Sequence, residues 1–353
     1  MFMILALNPG STSTKIGLFE DDQCLIKETL RHTAIETTAD LNREKQAAFR
    51  RTAILEYLKN NNIDLTKLAA IVVRGGLLRP LASGTYLVDE RVCTDLSSAK
   101  YGWHASNLGS IIALPLASEL GIPIYTVDPV TVDEFEPEAR YSGLKGVPRL
   151  SMSHALNMNA MARQAARQFG RCYEDLNLVV VHLGSGISVS AHQRGKMIDV
   201  NNANEEGPFS LERCGTLPAL GLVRLCFEGS NNQEEITRLL TGRGGVFSYL
   251  GTKDFVSIVQ RIKDGDQEAL QVVLAMAYQV AKEIGAMATV LRGNVDLIVL
   301  TGGMANAKTL VDLITERIAF IAPVQVLAGE EELEALAAGA LRVLRGEVKA
   351  LKY

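Results

Sequence analysis

Apolar residues come in short runs along this chain, most of them closed by a polar or glycine-bearing turn. Phe2–Leu7 reads as a buried first strand. The polar turn Asn8–Thr14 follows, then a second strand at Ile16–Phe19 and a third at Cys24–Leu30. Helical spacing predicts a helix over Leu41–Leu58. Leu68–Val73 is a further buried strand and ends in Arg74-Gly75-Gly76. Ser106–Leu120 predicts a helix, and Pro123–Val127 a strand stopped by Asp128-Pro129.

In the second half, His154–Phe169 predicts a helix. Strands at Leu178–Leu183 and Ile187–Ala191 flank the turn Gly184–Gly186. A long helical region covers Leu217–Leu291, interrupted near Gly242–Gly245. Val295–Leu300, Ala307–Phe320, Val324–Leu327 and Leu333–Leu344 then read as strand, helix, strand and helix. Asp133–Leu150 is polar and proline-bearing and marks a boundary near residue 150. The expected layout is an N-terminal domain over 1–150 and a C-terminal domain over 151–353, whose last helix can pack back on the first. The strand–turn–strand unit around Asn8–Ser13 is echoed around Gly184–Ser188. That repeat suggests a duplicated α/β domain with a cleft between the halves.

Length and composition narrow the class. At about 150 residues per domain, 353 residues imply two domains. A hydrophobic share of 47% with 22% charged residues excludes disordered, collagenous and coiled-coil chains. Lys+Arg is 36 against 40 Asp+Glu, a net charge of −4 without a long basic run, so neither nucleic acid nor an anionic membrane is an expected partner. The five cysteines are odd in number and form no CxxC pair, which supports neither a disulfide framework nor a zinc site and fits a reducing cytosol. Met1–Leu7 lacks the basic region and cleavage site of a signal peptide. The longest apolar stretch, Ile111–Ile124, contains two prolines and Glu119 and is too short to span a bilayer. The expected location is cytoplasmic.

The turns carry the candidate chemistry. Asn8-Pro9-Gly10-Ser11-Thr12-Ser13-Thr14-Lys15 gathers backbone N–H groups, four hydroxyls and one ammonium, a set suited to phosphate oxygens. It is not a Walker A loop, because a strand follows instead of a helix. Taken alone, it is equally a polar hairpin turn. Gly184-Ser185-Gly186-Ile187-Ser188 has the same character, and its glycines permit close backbone approach to an anion. Gly302-Gly303, after a third buried strand, leaves room for a base or ribose. The three together resemble the two phosphate loops and the adenosine loop of the actin-like superfamily of sugar kinases and Hsp70 ATPases.

One branch is resembled more closely. The segments LNPGSTSTKIGLF, VVRGGLLRP, HASNLGSIIA, TVDPVTVDEF, HALNMNAMAR, VHLGSGISVSAH, IDVNNANEEGPFS, ERCGTLP, LTGGMA and EEELEALAAGALRVL resemble, in order, those of the butyrate kinases, with acetate kinases as the nearest relatives outside that branch. The resemblance implies two ribonuclease-H-like α/β domains of the acetokinase type with ATP in an interdomain cleft. It implies transfer of the γ-phosphoryl of ATP to a short-chain carboxylate, butyrate first and isobutyrate as the alternative, with Mg2+ and ADP. It further implies a homo-oligomer of at least two copies, and a reverse, ATP-forming direction during fermentation.

The same resemblance assigns roles. Arg213 is the arginine that stabilises the transferring phosphoryl, with a structural ion pair as its alternative. Arg74 steers the substrate carboxylate; acetate kinases carry an arginine slightly earlier, where Ile71 stands here. His182 contacts the phosphoryl, or else is a core histidine. His104 and His154 match motif histidines. Asp128 orients substrate or holds magnesium through water. Asn8, Ser11, Thr12, Ser13, Lys15, Gly184, Ser185, Gly186, Gly302 and Gly303 bind the nucleotide. Asn8 and one of Glu331 or Glu332 attend the magnesium. Independently of the resemblance, Val73, Leu77, Leu78 and Pro80 are expected to line the acyl chain or to pack in the ordinary core, and His192, outside any motif, is expected at the surface. Ser185, Cys214 and Met304-Ala305-Asn306 depart from the family pattern, which touches affinity more than reaction type. The competing class is a non-catalytic nucleotide-binding regulator on the same scaffold. Retention of both arginines disfavours it. A sugar kinase is weaker still, because an alcohol needs a general base.

Overall fold

The computed structural model describes residues 1–33, 43–228 and 232–353. The predicted helix start at Leu41 lies outside the described residues, as does the part of the predicted helical region at 229–231. The chain forms two compact units, Met1–Val132 with Glu331–Tyr353, and Asp133–Glu330.

The first unit opens with an antiparallel meander of β1 (Met3–Pro9), β2 (Ser13–Glu20) and β3 (Gln23–Arg31). Helix α1 (Arg43–Asn60) follows, then β4 (Leu68–Val73), β5 (Thr85–Leu87), α2 (Glu90–Ser97), α3 (Leu108–Leu120) and β6 (Ile124–Val127). The sheet order is β3-β2-β1-β4-β6-β5. β4 pairs in parallel with both β1 and β6. Parallel central strands are covered on both faces, which explains why Leu68–Val73 is one apolar run. β5 and α2 were not signalled by periodicity. β5 is only three residues long, too short to show a period of two.

The second unit contains α4 (Ala155–Gln168), the meander β7 (Asn177–Leu183), β8 (Ile187–Gln193) and β9 (Lys196–Val200), and then five helices. These are α5 (Ala219–Phe227), α6 (Gln233–Gly242), α7 (Gly245–Leu250), α8 (Phe255–Lys263) and α9 (Gln267–Val290). β10 (Leu297–Gly302), α10 (Lys308–Ile318) and β11 (Val324–Ala328) complete it. The expected single helical region is divided by caps. The side chains of Asn232, Asp254 and Asp266 accept from first-turn amides, each satisfying an N–H that the new helix leaves unpaired. The strand order is β11-β10-β7-β8-β9. Read from the meander outward, β9-β8-β7-β10-β11 repeats β3-β2-β1-β4-β6. The repeated hairpin is thus one visible part of a repeated sheet.

The last helix, α11 (Glu332–Leu344), belongs to the first unit and packs on β1 and β6. Gly339 allows this approach, because a Cβ there meets the Val127 side chain at 2.6 Å. The expected boundary near 150 also moves. Asp133–Leu150 belongs to the second unit because its polar groups are spent on that unit. Glu136 N–H donates to the Ile198 carbonyl (3.0 Å) and Met197 N–H to Glu134 (3.0 Å). Arg149 pairs with Asp199 (3.0 Å) and Glu206 (2.8 Å). Burial raises the pKa of both acids, and Arg149 opposes the rise.

His192 is not at the surface. It is fully buried, with its ring bonded to Tyr173 Oη (2.5 Å) and Ser190 Oγ (2.7 Å). Burial pushes its pKa down to about 3, so it is neutral at pH 7. All five cysteines are unpaired. Among the described residues, no helix is long and apolar enough to cross a membrane.

Candidate active site

In the first unit the hairpin register places Asn8 opposite Lys15 and Pro9 opposite Thr14. The turn between them exposes Ser11 and Thr12 and half-buries Ser13. Gly10 N–H donates to the Ser13 carbonyl (2.8 Å), closing the loop on itself. Asn8 is buried, and its amide donates to Glu332 (2.5 Å). Glu332 also pairs with Arg74 at 2.6 Å. β1, the end of β4 and the start of α11 therefore bring Asn8, Arg74 and Glu332 together. The two candidate glutamates are now distinct: Glu332 joins this cluster, whereas Glu331 precedes α11 without a side-chain cap bond. Glu332 engages one of the five N–H donors of Arg74.

Asp128 is 2% exposed and has a positive φ of 38°. Such a backbone is costly for a residue other than glycine. A reciprocal pair of bonds holds it: Gly84 N–H donates to Asp128 Oδ1 (2.6 Å), and Asp128 N–H to the Gly84 carbonyl (3.0 Å). His104 is exposed; its Nδ1 accepts from Ser106 N–H (3.2 Å), capping the turn before α3. Val73 and Leu78 are core residues with 0% and 1% exposure. Leu77 is half-buried and Pro80 exposed.

The second unit builds its site around β7. His182 is 2% exposed, and its Nδ1 lies 2.7 Å from Asn157 Oδ1. Asn157 Nδ2 donates to the Gly329 carbonyl (3.4 Å). That bond turns the amide oxygen toward His182, so Nδ1 is the donor. Nε2 then faces Glu330 at 3.5 Å and the Cα of Gly184, where a Cβ would sit 2.8 Å away. His154 stacks on His182 with ring centroids 4.0 Å apart, and its own Nδ1 bonds Ser188 Oγ (2.9 Å). His182, His154 and Ser188 thus lie together beside the second turn.

Arg213 completes this group. Its guanidinium lies directly against Gly186, where any Cβ would collide with Nη1. Nη1 reaches the Ala203 carbonyl at 3.4 Å, a long contact. Ser210 Oγ bonds both the Ser185 carbonyl (2.5 Å) and Arg213 N–H (3.3 Å), tying turn and arginine together. Burial lowers the Arg213 pKa, opposed by the charge of Glu212. Glu212 pairs with Lys253 (2.5 Å), and no carboxylate forms an ion pair with Arg213 among the described residues. The structural ion pair expected as the alternative for Arg213 is thus not formed with any described residue. Gly302 has a φ of +90° and abuts the Leu183 backbone, while a Cβ on Gly303 would meet nothing within 4 Å.

Two supporting residues escaped the sequence reading. Asn157, inside the HALNMNAMAR segment, orients His182. Arg50 is 1% exposed beneath the first turn. Its signal was present: Ala47, Arg50, Ile54 and Leu58 form the buried stripe of α1, so one charge stands at an apolar-face position.

Magnesium is held by few protein ligands, usually one or two carboxylates with substrate phosphates and water. Among the described residues, no group of three or more His, Cys, Asp or Glu is arranged to hold a metal. The Asn8–Glu332 pair beside the first turn fits that sparse demand, as oxygen donors acting through water.

Two glycine- or hydroxyl-bearing turns on repeated sheets, with an arginine and a histidine at one of them, sit on an actin-like ATPase fold. The fold matches an acetate kinase from Porphyromonas gingivalis with a TM-score of 0.79 at 20% identity, over 96% of this chain and 99% of the other. A propionate kinase from Francisella tularensis subsp. tularensis SCHU S4 matches with a TM-score of 0.75 at 20% identity, over 96% and 99%. The Acetokinase family profile matches residues 141–328. Butyrate kinase 1 of Clostridium acetobutylicum is 49% identical over 354 aligned residues, covering 100% of both chains. The chain belongs to the acetokinase family of ATP- and Mg2+-dependent carboxylate kinases, which includes the acetate and butyrate kinases.

Proposed function

We propose that the carboxylate is butyrate, so that the chain converts butyrate and ATP to butanoyl phosphate and ADP, and that Arg213 and His182 carry the transfer. Full-length similarity to a butyrate kinase supports the substrate. The observation that carries the mechanism is the Arg213 guanidinium laid against Gly186 with no carboxylate partner among the described residues.

A carboxylate is ionised at pH 7, so it attacks phosphorus without a general base. The difficulty is bringing one anion to another. Transfer then depends on positioning and on donors placed where charge accumulates. Arg213 offers a planar fork to the equatorial phosphoryl oxygens. His182, fixed through Asn157, presents Nε2 beside the Gly184 backbone. Gly184, Ser185 and Gly186 hold phosphate through N–H groups, and Gly302 and Gly303 lie against the adenosine. In the first unit, Asn8, Ser11, Thr12, Ser13 and Lys15 meet phosphate oxygens, and Arg74 steers the carboxylate through donors not taken by Glu332. Asp128 orients the substrate; His104 and His154 support its site. Asn8 and Glu332 would hold magnesium through water, and the ion would supply positive charge to offset the phosphates. Initial ADP-release rates with MgATP across C2 to C6 straight and branched acids test the substrate. The C4 acids are expected to lead; a C2 acid leading would overturn butyrate.

The same reading makes the protein a cytoplasmic homo-oligomer. α5 supports the oligomer: none of its residues is buried, and Leu220, Val223 and Phe227 are 73%, 50% and 85% exposed. Light scattering in solution reads the copy number, and a monomer at micromolar concentration contradicts the assembly.

A further inference from the structure

Arg50 is the largest fully buried side chain among the described residues. It projects from α1 to the underside of the turn between β1 and β2. Nη1 donates to the Ser13 carbonyl (2.9 Å) and to Thr14 Oγ1 (2.9 Å), and Nη2 to the Ser11 carbonyl (3.0 Å). No carboxylate pairs with it, and Nε finds no acceptor, among the described residues. A buried charge without a counter-charge is expensive, and an apolar residue of similar size commonly packs as well or better. Packing alone therefore does not account for arginine here.

The turn accounts for it. A trans peptide points its carbonyl and the following N–H in opposite directions. Holding the Ser11 carbonyl inward turns the Thr12 N–H outward. Thr12 is fixed from its other side, where its carbonyl accepts from His32 N–H (2.9 Å). Thr14 Oγ1 is shared between Arg50 and His32 Nε2 (2.9 Å). The guanidinium also sets a positive charge directly below a loop rich in outward donors, which favours an anion above it.

We propose that Arg50 is a positioning residue for the phosphate-binding turn: it pins the Ser11 and Ser13 carbonyls and places beneath the phosphates of ATP a charge that no carboxylate among the described residues compensates. The inference rests on the assignment of this turn to nucleotide phosphates under the proposed function.

Steady-state kinetics on the full chain test it, using Arg50→Gln, Arg50→Lys and, as a reference for the turn itself, Lys15→Ala. Arg50→Gln is expected to lower kcat/KM for MgATP about 100-fold, the scale of a misplaced binding group. Arg50→Lys keeps the charge but cannot span both carbonyls, and is expected to lose about tenfold. KM for the carboxylate should change less than about threefold in both, with a cooperative melt retained; a residue that merely held the fold would shift both substrates together. If Arg50→Gln does not fold, Arg50→Lys decides. Either folded Arg50 variant within about threefold of the parent for MgATP, while Lys15→Ala raises KM for MgATP, overturns the role of Arg50 alone. Parallel losses for both substrates overturn it too. A Lys15→Ala variant indifferent to MgATP removes the phosphate reading of the turn, and the inference with it.

Discussion

The two hairpins have the same topology and opposite supports. In β1–β2 the turn is built from hydroxyl residues, and its arginine lies beneath it, bonded to its carbonyls. In β7–β8 the turn is built from glycines, and Arg213 lies against the backbone that a side chain would otherwise cover. Neither arginine has a carboxylate partner among the described residues, whereas Arg74 and Arg149 do. The difference teaches what each glycine or serine is for. Where the cation sits below, side chains are free to crown the loop with donors. Where the cation sits beside the loop, the loop must be bare.

This contrast is broken most severely at Arg213. Arg213→Ala should reduce kcat by about 10³-fold or more, the range seen when an arginine facing a transferring phosphoryl is removed. A kcat within about tenfold of the parent would place the charge stabilisation elsewhere. The next effect sharpens the comparison by giving both turns the same methyl group. Gly186→Ala drives a Cβ into the Arg213 guanidinium and should cost about 10²-fold in kcat, a misplacement effect rather than a lost group. Gly10→Ala is the mild counterpart. Its Cβ would meet only Ser13 atoms, at 3.6 and 3.7 Å, so a change below about threefold is expected. Equal losses at the two glycines would erase the distinction.

Much of this was legible before the fold was known, for definable reasons. β4, β7 and β10 are short apolar runs because central parallel strands see no water on either face. The turns announced themselves through glycine and hydroxyl density. His182 stood just before the turn residue it touches, whereas Arg213 lies far from Gly186 along the chain and was marked only by the resemblance of its ERCGTLP segment. Other features had no local signal. β5 owes its existence to pairing with β6, not to its own pattern. The boundary was misplaced because Asp133–Leu150 looks like a linker, yet Arg149 binds it to acids about fifty residues further on. His192 looked like a surface histidine because its partners Tyr173 and Ser190 satisfy it only in the folded chain. Glu332 separated from Glu331 only once α11 placed it beside Asn8 and Arg74. Arg50 could have been found by treating a charge on an apolar helix stripe as a question rather than as noise.

The central claim is that a carboxylate oxygen accepts the phosphoryl group. The most direct measurement traps that product: the enzyme is incubated with MgATP, butyrate and hydroxylamine, and butyryl hydroxamate is measured beside ADP. The account predicts hydroxamate and ADP in equal amounts, both dependent on butyrate and both lost with Arg213→Ala. Release of ADP without hydroxamate would mean that water takes the phosphoryl, and would contradict it.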